Sequence, residues 1–346
     1  MKRRFFLPLL LTLLFFGLPL WAEIPCVWTG VERVVAVGDL HGDYDHFVAI
    51  LQGTKVINAD LHWAAGPTHL VQMGDILDRG PRARDIFDLL MSLEKEAEAA
   101  GGRVHCLIGN HEELNLVGIA FDYADYVTVE QFRDFLPDSY RQKREAEFAK
   151  LWKARHRSDP SQAEPTVEDL RAFWKEVLTS DADARQNYLD HFRSRYGPWI
   201  LQHNVVIKIN DTVFVHGGIS SKYSLIPLAD INDRIRAELR QVMAGREFTP
   251  TYLFARDGPL WFRGLAEQAE AGFQDDLGRV LANLQAQHIV IGHSPLSVPS
   301  TKAMERFEGK LWVIDTGIST YFGGFLSALI INGGHFQAWG VNDGQN

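Results

Sequence analysis

The sequence predicts an α/β fold with two sheets and a helical insertion, on three observations. Short apolar runs closed by glycine alternate with helical periodicity between Glu32 and Ile108. A polar, aromatic-rich stretch at about 113–200 has no comparable strand pattern. From Leu311 onward, apolar runs separated by Gly and Asp read as an antiparallel meander that completes a second sheet.

The first strand is Val34-Val35-Ala36-Val37, closed by Gly38-Asp39-Leu40-His41-Gly42, with a helix expected from Tyr44 to Gly53. Thr68 to Met73 is the second strand, closed by Gly74-Asp75-Ile76-Leu77-Asp78-Arg79-Gly80. Ala83 to Ala100 has helical periodicity and stops at Gly101-Gly102. Val104 to Ile108 is the third strand, closed by Gly109-Asn110-His111-Glu112. Within the insertion, the seven Lys or Arg between Arg141 and Arg157 read as a solvated helix face rather than a receptor for an acidic substrate. Strands resume at Val205 to Ile209, and Asn210-Asp211 turns the chain into Thr212 to Val215, which runs into His216-Gly217-Gly218. Helices are expected near Asp230 to Met243 and Phe273 to Gln287. Between them lies Asp257 to Gly264, which carries Trp261 and Arg263. His288 to Ile291 is a further strand, closed by Gly292-His293.

With 346 residues and 46% hydrophobic content, the chain can bury a large core. A formal charge of -9 argues against a nucleic-acid partner. Residues 1–22 read as a signal peptide: Lys2, Arg3 and Arg4 precede the uncharged apolar run Phe5 to Leu20, and Pro19 to Ala22 resembles a cleavage region. The mature chain, 23–346, is then exported, periplasmic or secreted, with no stable membrane span. Leu20 is larger than cleavage prefers, which leaves an uncleaved N-terminal anchor as the alternative. Export permits a disulfide between the two cysteines, Cys26 and Cys106; one buried core thiol and one flexible thiol is the other reading.

Five strand ends thus place glycine beside a potential ligand: Asp39 with His41, Asp75, Asn110, His216 and His293. Any one of them would pass as a turn. Together they gather oxygen and imidazole donors at the carboxyl ends of strands, where α/β proteins bind ligands. Such donors suit Mn, Fe or Zn.

The ordered set GDxHG, GDxxDRG, GNHE, HGG and GH resembles the calcineurin-like metallophosphoesterases, and within them the phosphoprotein phosphatases of the Shewanella-like branch. The segment Gly317 to Gly324 departs from the Ser-Ala-Pro-Asn-Tyr signature of the eukaryotic enzymes. The resemblance implies a four-layer β-sandwich flanked by helices and a dinuclear metal centre. Asp39, His41 and Asp75 would hold one ion, and Asp75, Asn110, His216 and His293 the other, with Asp75 shared. It further implies direct attack on a phosphomonoester by a hydroxide bridging the ions. His111 would be the general acid, oriented by Asp78. Arg79, and either Arg263 or Arg256, would hold the phosphate. The implied partner is a phosphoprotein or phosphopeptide; dinucleoside polyphosphate hydrolysis and metal-bound binding without turnover are the rivals.

Overall fold

The computed structural model describes residues 24–157 and 164–341. The signal peptide expected at 1–22 lies outside the described residues, among which no helix is long and apolar enough to cross a membrane.

Among the described residues, eleven strands run in chain order: β1 (Val27–Trp28), β2 (Arg33–Val37), β3 (His69–Gln72), β4 (Arg103–Cys106), β5 (Val206–Ile209), β6 (Thr212–Val215), β7 (His288–Ile291), β8 (Glu305–Arg306), β9 (Leu311–Val313), β10 (Ser327–Asn332) and β11 (His335–Gly340). They form two sheets, ordered β11-β10-β2-β3-β4 and β1-β5-β6-β7-β9-β8. β2, β3 and β4 are parallel, as are β6, β7 and β9. Parallel strands put several carboxyl ends at one rim, which is what a convergent site needs.

Alternation along each strand separates two cores. Val34, Ala36 and Val71 of one sheet and Ile207, Phe214 and Val290 of the other share a cluster with Met73, Leu107 and Ile314. The intervening Val35, Val37, Leu70, Val213, Val215, Ile289 and Ile291 belong to the cluster built with helix residues such as Phe47, Phe87, Ile235 and Val280. Strand side chains alternate between faces, so this division gives four layers, helices outside and two sheets within. Helices Tyr44–Gly53 and Ala83–Ala99 cover one sheet, and Leu228–Met243 and Glu270–Leu284 the other.

One expectation needs correction, and one open alternative is resolved. The C-terminal runs do not form one meander. β9 joins β7 in parallel, whereas β10 and β11 form a hairpin beside β2 in the other sheet. The chain crosses between sheets through Asp315 to Gly324, a segment too rich in Gly and polar residues to continue a strand. Cys26 and Cys106 are not joined in a disulfide; they are buried thiols, one beside β1 and the other ending β4, on different sheets.

Between Asn110–Val117 and Val206, the elements among the described residues are helices joined by loops, chiefly Val129–Phe135, Asp138–Arg155, Val167–Ser180, Ala182–Arg195 and Gly197–Ile200. Their packing is aromatic: Phe132, Phe135, Trp174, Tyr188, Phe192 and Tyr196 are buried together. Helix Asp138–Arg155 buries none of its residues, and its cations pair with Asp138, Asp134 and Asp181. It is a solvated face.

Candidate metal centre

The rim where β2, β3, β4, β6 and β7 end carries the ligand candidates. Asp39 follows β2 and is 2% exposed; its carboxylate accepts the His293 N–H at 2.9 and 3.1 Å. Asp75 follows β3, and its carboxylate lies between two imidazoles. His41 Nε2 is 3.8 Å from Oδ2, and His216 Nε2 is 3.3 Å from Oδ1. Asn110 Oδ1 is 2.9 Å from His216 Nε2. Gly109 and Gly292 permit this crowding: a Cβ there would lie 2.3 Å from Asp75 Oδ1 and 2.4 Å from Asp39 Oδ1.

Backbone strain is concentrated here. His41, Asp75, Asp78, Arg79 and His293 all have left-handed φ, from 44° to 71°. Each such residue costs on the order of 1 kcal/mol or more, so neighbouring bonds must hold it. Glu112 does much of this. Its buried carboxylate accepts the N–H groups of Asp75, Ile76 and Gly109 at 2.8–2.9 Å. Leu40 and His41 donate their N–H groups to the Asp75 carbonyl at 3.0 and 2.9 Å.

The donor set fits cations. His41 Nδ1 is 3.0 Å from the Leu77 carbonyl and His216 Nδ1 is 2.8 Å from the Met73 carbonyl. A carbonyl only accepts, so each Nδ1 carries hydrogen when the ring is neutral, and each Nε2 lone pair is turned inward, the arrangement of metal-ligating histidines. His293 Nε2 is buried without a hydrogen-bond partner among the described residues. The carboxyl groups show the same need. Burial, then Asp315 and Asp75, push Asp39 well above the usual range, and burial lifts Glu112 and Asp315 to about 7. Burial works the same way on Asp75, but His216, His111 and His41 hold it below the usual range. Cations placed among these groups would relieve the crowding of negative charge.

His111 lies beside the cluster in the first turn of helix Asn110–Val117. Its Nδ1 is 2.6 Å from Asp78 Oδ2, and its Nε2 is 3.8 Å from Asp75 Oδ2. Proximity alone would group His111 with His41 and Asp75 as a ligand. Electrostatics favours a proton instead: burial lowers the imidazole, but Asp75 and the bonded Asp78 outweigh it and raise it above its ordinary value. Asp78 is fully buried and is held by Asn115 Nδ2 at 3.0 Å and Gln131 Nε2 at 2.9 Å, while Tyr188 donates to Asn115 at 2.8 Å. Gln131 and Tyr188 come from the helical insertion, as does Tyr126, whose carbonyl takes the Arg79 N–H at 2.8 Å. No spacing motif marks Asn115, Gln131, Tyr126 or Tyr188 in sequence. Asp315 was missed too, although the strand-then-Asp-Thr-Gly pattern of Ile314 to Gly317 repeats the signal that found Asp39 and Asp75.

The Arg79 guanidinium lies over the rings of Tyr126 and Tyr321, at 4.1 and 4.7 Å, and donates to the Tyr321 hydroxyl at 3.0 Å. Arg263 donates to the His293 carbonyl and to Ser294, which puts it at the centre's second side. Arg256 is exposed and has no hydrogen bond or ion pair to these groups among the described residues.

The model of the calcineurin-like phosphoesterase family matches residues 32–297. The chain belongs to that family. It is 26% identical over 299 residues to Shewanella-like protein phosphatase 1 of Plasmodium berghei, covering 85% of this chain and 68% of that one. It is 30% identical over 245 residues to Shewanella-like protein phosphatase 2 of Arabidopsis thaliana, covering 68% and 59%. Among solved structures, the cold-active protein-tyrosine phosphatase of a psychrophilic Shewanella species superposes with a TM-score of 0.65 at 25% identity, over 92% of this chain and 82% of that one. This member of the calcineurin-like family is a phosphoester hydrolase with protein phosphatases as relatives, and dinuclear metal sites are typical of the family.

Proposed function

We propose that the enzyme removes phosphate from phosphoproteins, phosphotyrosine foremost, at two ions held as the resemblance implies: Asp39, His41 and Asp75 on one, Asp75, Asn110, His216 and His293 on the other. The observation that carries the shared ligand is that the two oxygens of Asp75 face different histidines, His41 and His216. When bound, the ions supply Lewis acidity and an activated water. Mn, Fe or Zn suits the donors.

The protein's own groups do the rest. Arg79 and Arg263 clamp the phosphoryl oxygens from opposite sides; a guanidinium matches them with paired donors. His111 gives its Nε2 proton to the departing oxygen, and Asp78 fixes the ring and stabilises its charged form before transfer. Tyr126 and Phe322 pack on His111 and His41, shielding the rings from water. The tyrosine preference is supported by the rim around Arg79. Tyr123 and Tyr321 are 44% and 52% exposed, and Tyr123 stacks on Tyr126, a wall against which an aryl phosphate can lie flat. The protein-tyrosine phosphatase likeness agrees with it. Export to the periplasm or medium is supported by the Lys2-Arg3-Arg4 and Phe5 to Leu20 leader.

The test is a panel of phosphotyrosine, phosphoserine and phosphothreonine peptides and diadenosine tetraphosphate, with stripped enzyme given Mn, Fe or Zn. Metal-dependent turnover favouring phosphotyrosine is expected. A preference for the dinucleotide would overturn the substrate assignment, and no turnover with any metal would overturn the reaction.

A further inference from the structure

Away from the catalytic rim, a cavity of about 280 Å³ opens at the edge of β4, lined by Glu94, Cys106 and His203 among others. Ligand atoms of these three residues all lie within 4.8 Å of one another. Thiolate, imidazole and carboxylate are the donors of zinc sites, and an ion bound at about 2.0–2.3 Å from each would need them about 3–4 Å apart.

The histidine is set up for a ligand. His203 Nδ1 is 2.8 Å from the Trp199 carbonyl, so that nitrogen carries the hydrogen. Nε2 then faces Glu94 Oε1 across 2.6 Å, a proton-bridged contact that must open by about 0.5–1 Å for an ion bound to both atoms to replace the proton. The other Glu94 oxygen is fixed by Trp199 Nε1 at 2.8 Å. Second bonds of this kind orient metal ligands. Cys106 is 3% exposed, and its sulfur has no hydrogen-bond partner among the described residues. Burial, Glu94 and Glu112 all disfavour its thiolate, a penalty that a cation beside it reverses.

We propose that Glu94, Cys106 and His203 bind one zinc-type ion, with water from the cavity completing its shell, separate from the catalytic pair. The ion clips three parts of the fold. Glu94 is on helix Ala83–Ala99, Cys106 ends β4 four residues before Asn110, and His203 lies where the insertion returns to the sheet. It therefore closes the 109-residue span from Glu94 to His203 and steadies the strand that leads into Asn110 and His111. On binding, Cys106 loses its proton to solvent and its sulfur pair forms the bond to the ion.

Cobalt substitution of the full chain tests this. No cysteine lies in the catalytic centre, so a near-ultraviolet thiolate-to-cobalt charge-transfer band reports this site alone. The wild type should take up a third cobalt per chain and show the band. Cys106→Ser and His203→Gln should each lose that equivalent. Cys26→Ser and Asp75→Asn should keep the band. Saturation of the wild type without a band, or a band that vanishes only with Cys26→Ser, overturns the proposal; both readings stand even if one variant fails to fold.

Discussion

Replacing Asp78 with Asn isolates the proton-donating step. Asp78 is fully buried and receives three donors: His111 Nδ1 at 2.6 Å, Asn115 Nδ2 at 3.0 Å and Gln131 Nε2 at 2.9 Å. An amide of the same shape offers one oxygen and an NH₂ group, so at least one of the three donors meets another donor. One lost bond to a buried charge costs about 1.5–3 kcal/mol of stability. The larger effect is on the imidazolium, which loses the carboxylate that favours it. General acid catalysis contributes roughly 10²–10⁴-fold, so turnover of phenyl phosphate should fall by at least ~10²-fold, about 2.7 kcal/mol in the barrier. p-Nitrophenyl phosphate, whose leaving group departs without a proton, should lose roughly tenfold or less. The assay is kcat across aryl phosphates of graded leaving-group acidity, with metal content measured on each preparation. The Asp78→Asn line should be steeper than the wild-type line at equal metal content. Parallel lines would refute the acid assignment and leave Asp78 a structural group.

Arg79→Ala removes a guanidinium poised between Tyr126 and Tyr321. Steady-state kinetics should show KM raised and kcat lowered, with kcat/KM down about 10–100-fold, the worth of one charged hydrogen-bonding group, and both metals retained. Unchanged kinetics would remove Arg79 from the site. Glu113 gives a pH prediction. Burial lifts its carboxyl to about 8, against the opposing N–H bonds from Trp261 and Phe254. The folded state therefore holds a proton that the unfolded chain releases near 4.5. Its stabilising contribution is full below that pH and is lost as the pH rises towards 8. Glu113→Gln should flatten the fall of Tm between those limits, measured calorimetrically against wild type at matched metal content. Coincident slopes would contradict the buried protonated state.

The parts of the fold legible in sequence were those written in short-range patterns. Helices at Tyr44–Gly53 and Ala83–Ala99 and strands β2 to β7 follow from periodicity and glycine stops. Glu270–Leu284 begins and ends three residues earlier than periodicity suggests, because Gln285 enters the left-handed region and closes the helix. The meander at Leu311 to Trp339 was misread because apolar runs carry no record of which sheet each joins. The two-residue β1 was missed, since its pairing with β5 depends on a partner about 180 residues away. At the centre, ligand candidates announced themselves because chemistry restricts them to Asp, His and Asn beside glycine. Gln131 and Tyr188 did not, because an ordinary polar or aromatic residue on a helix looks the same whether it faces Asp78 or solvent, and Tyr126 lies in the loop before Val129–Phe135, where no periodicity marks it. The insertion looked like an addition; its residues in fact hold Asp78, and through it the His111 ring.

The central claim is that two ions share Asp75. It is tested most directly by electron paramagnetic resonance of enzyme loaded with two manganese ions per chain. Wild type should give an exchange-coupled dinuclear spectrum, which Asp75→Asn should lose together with activity. Isolated manganese signals in the wild type at full loading, or coupling that survives in Asp75→Asn, would contradict the shared carboxylate.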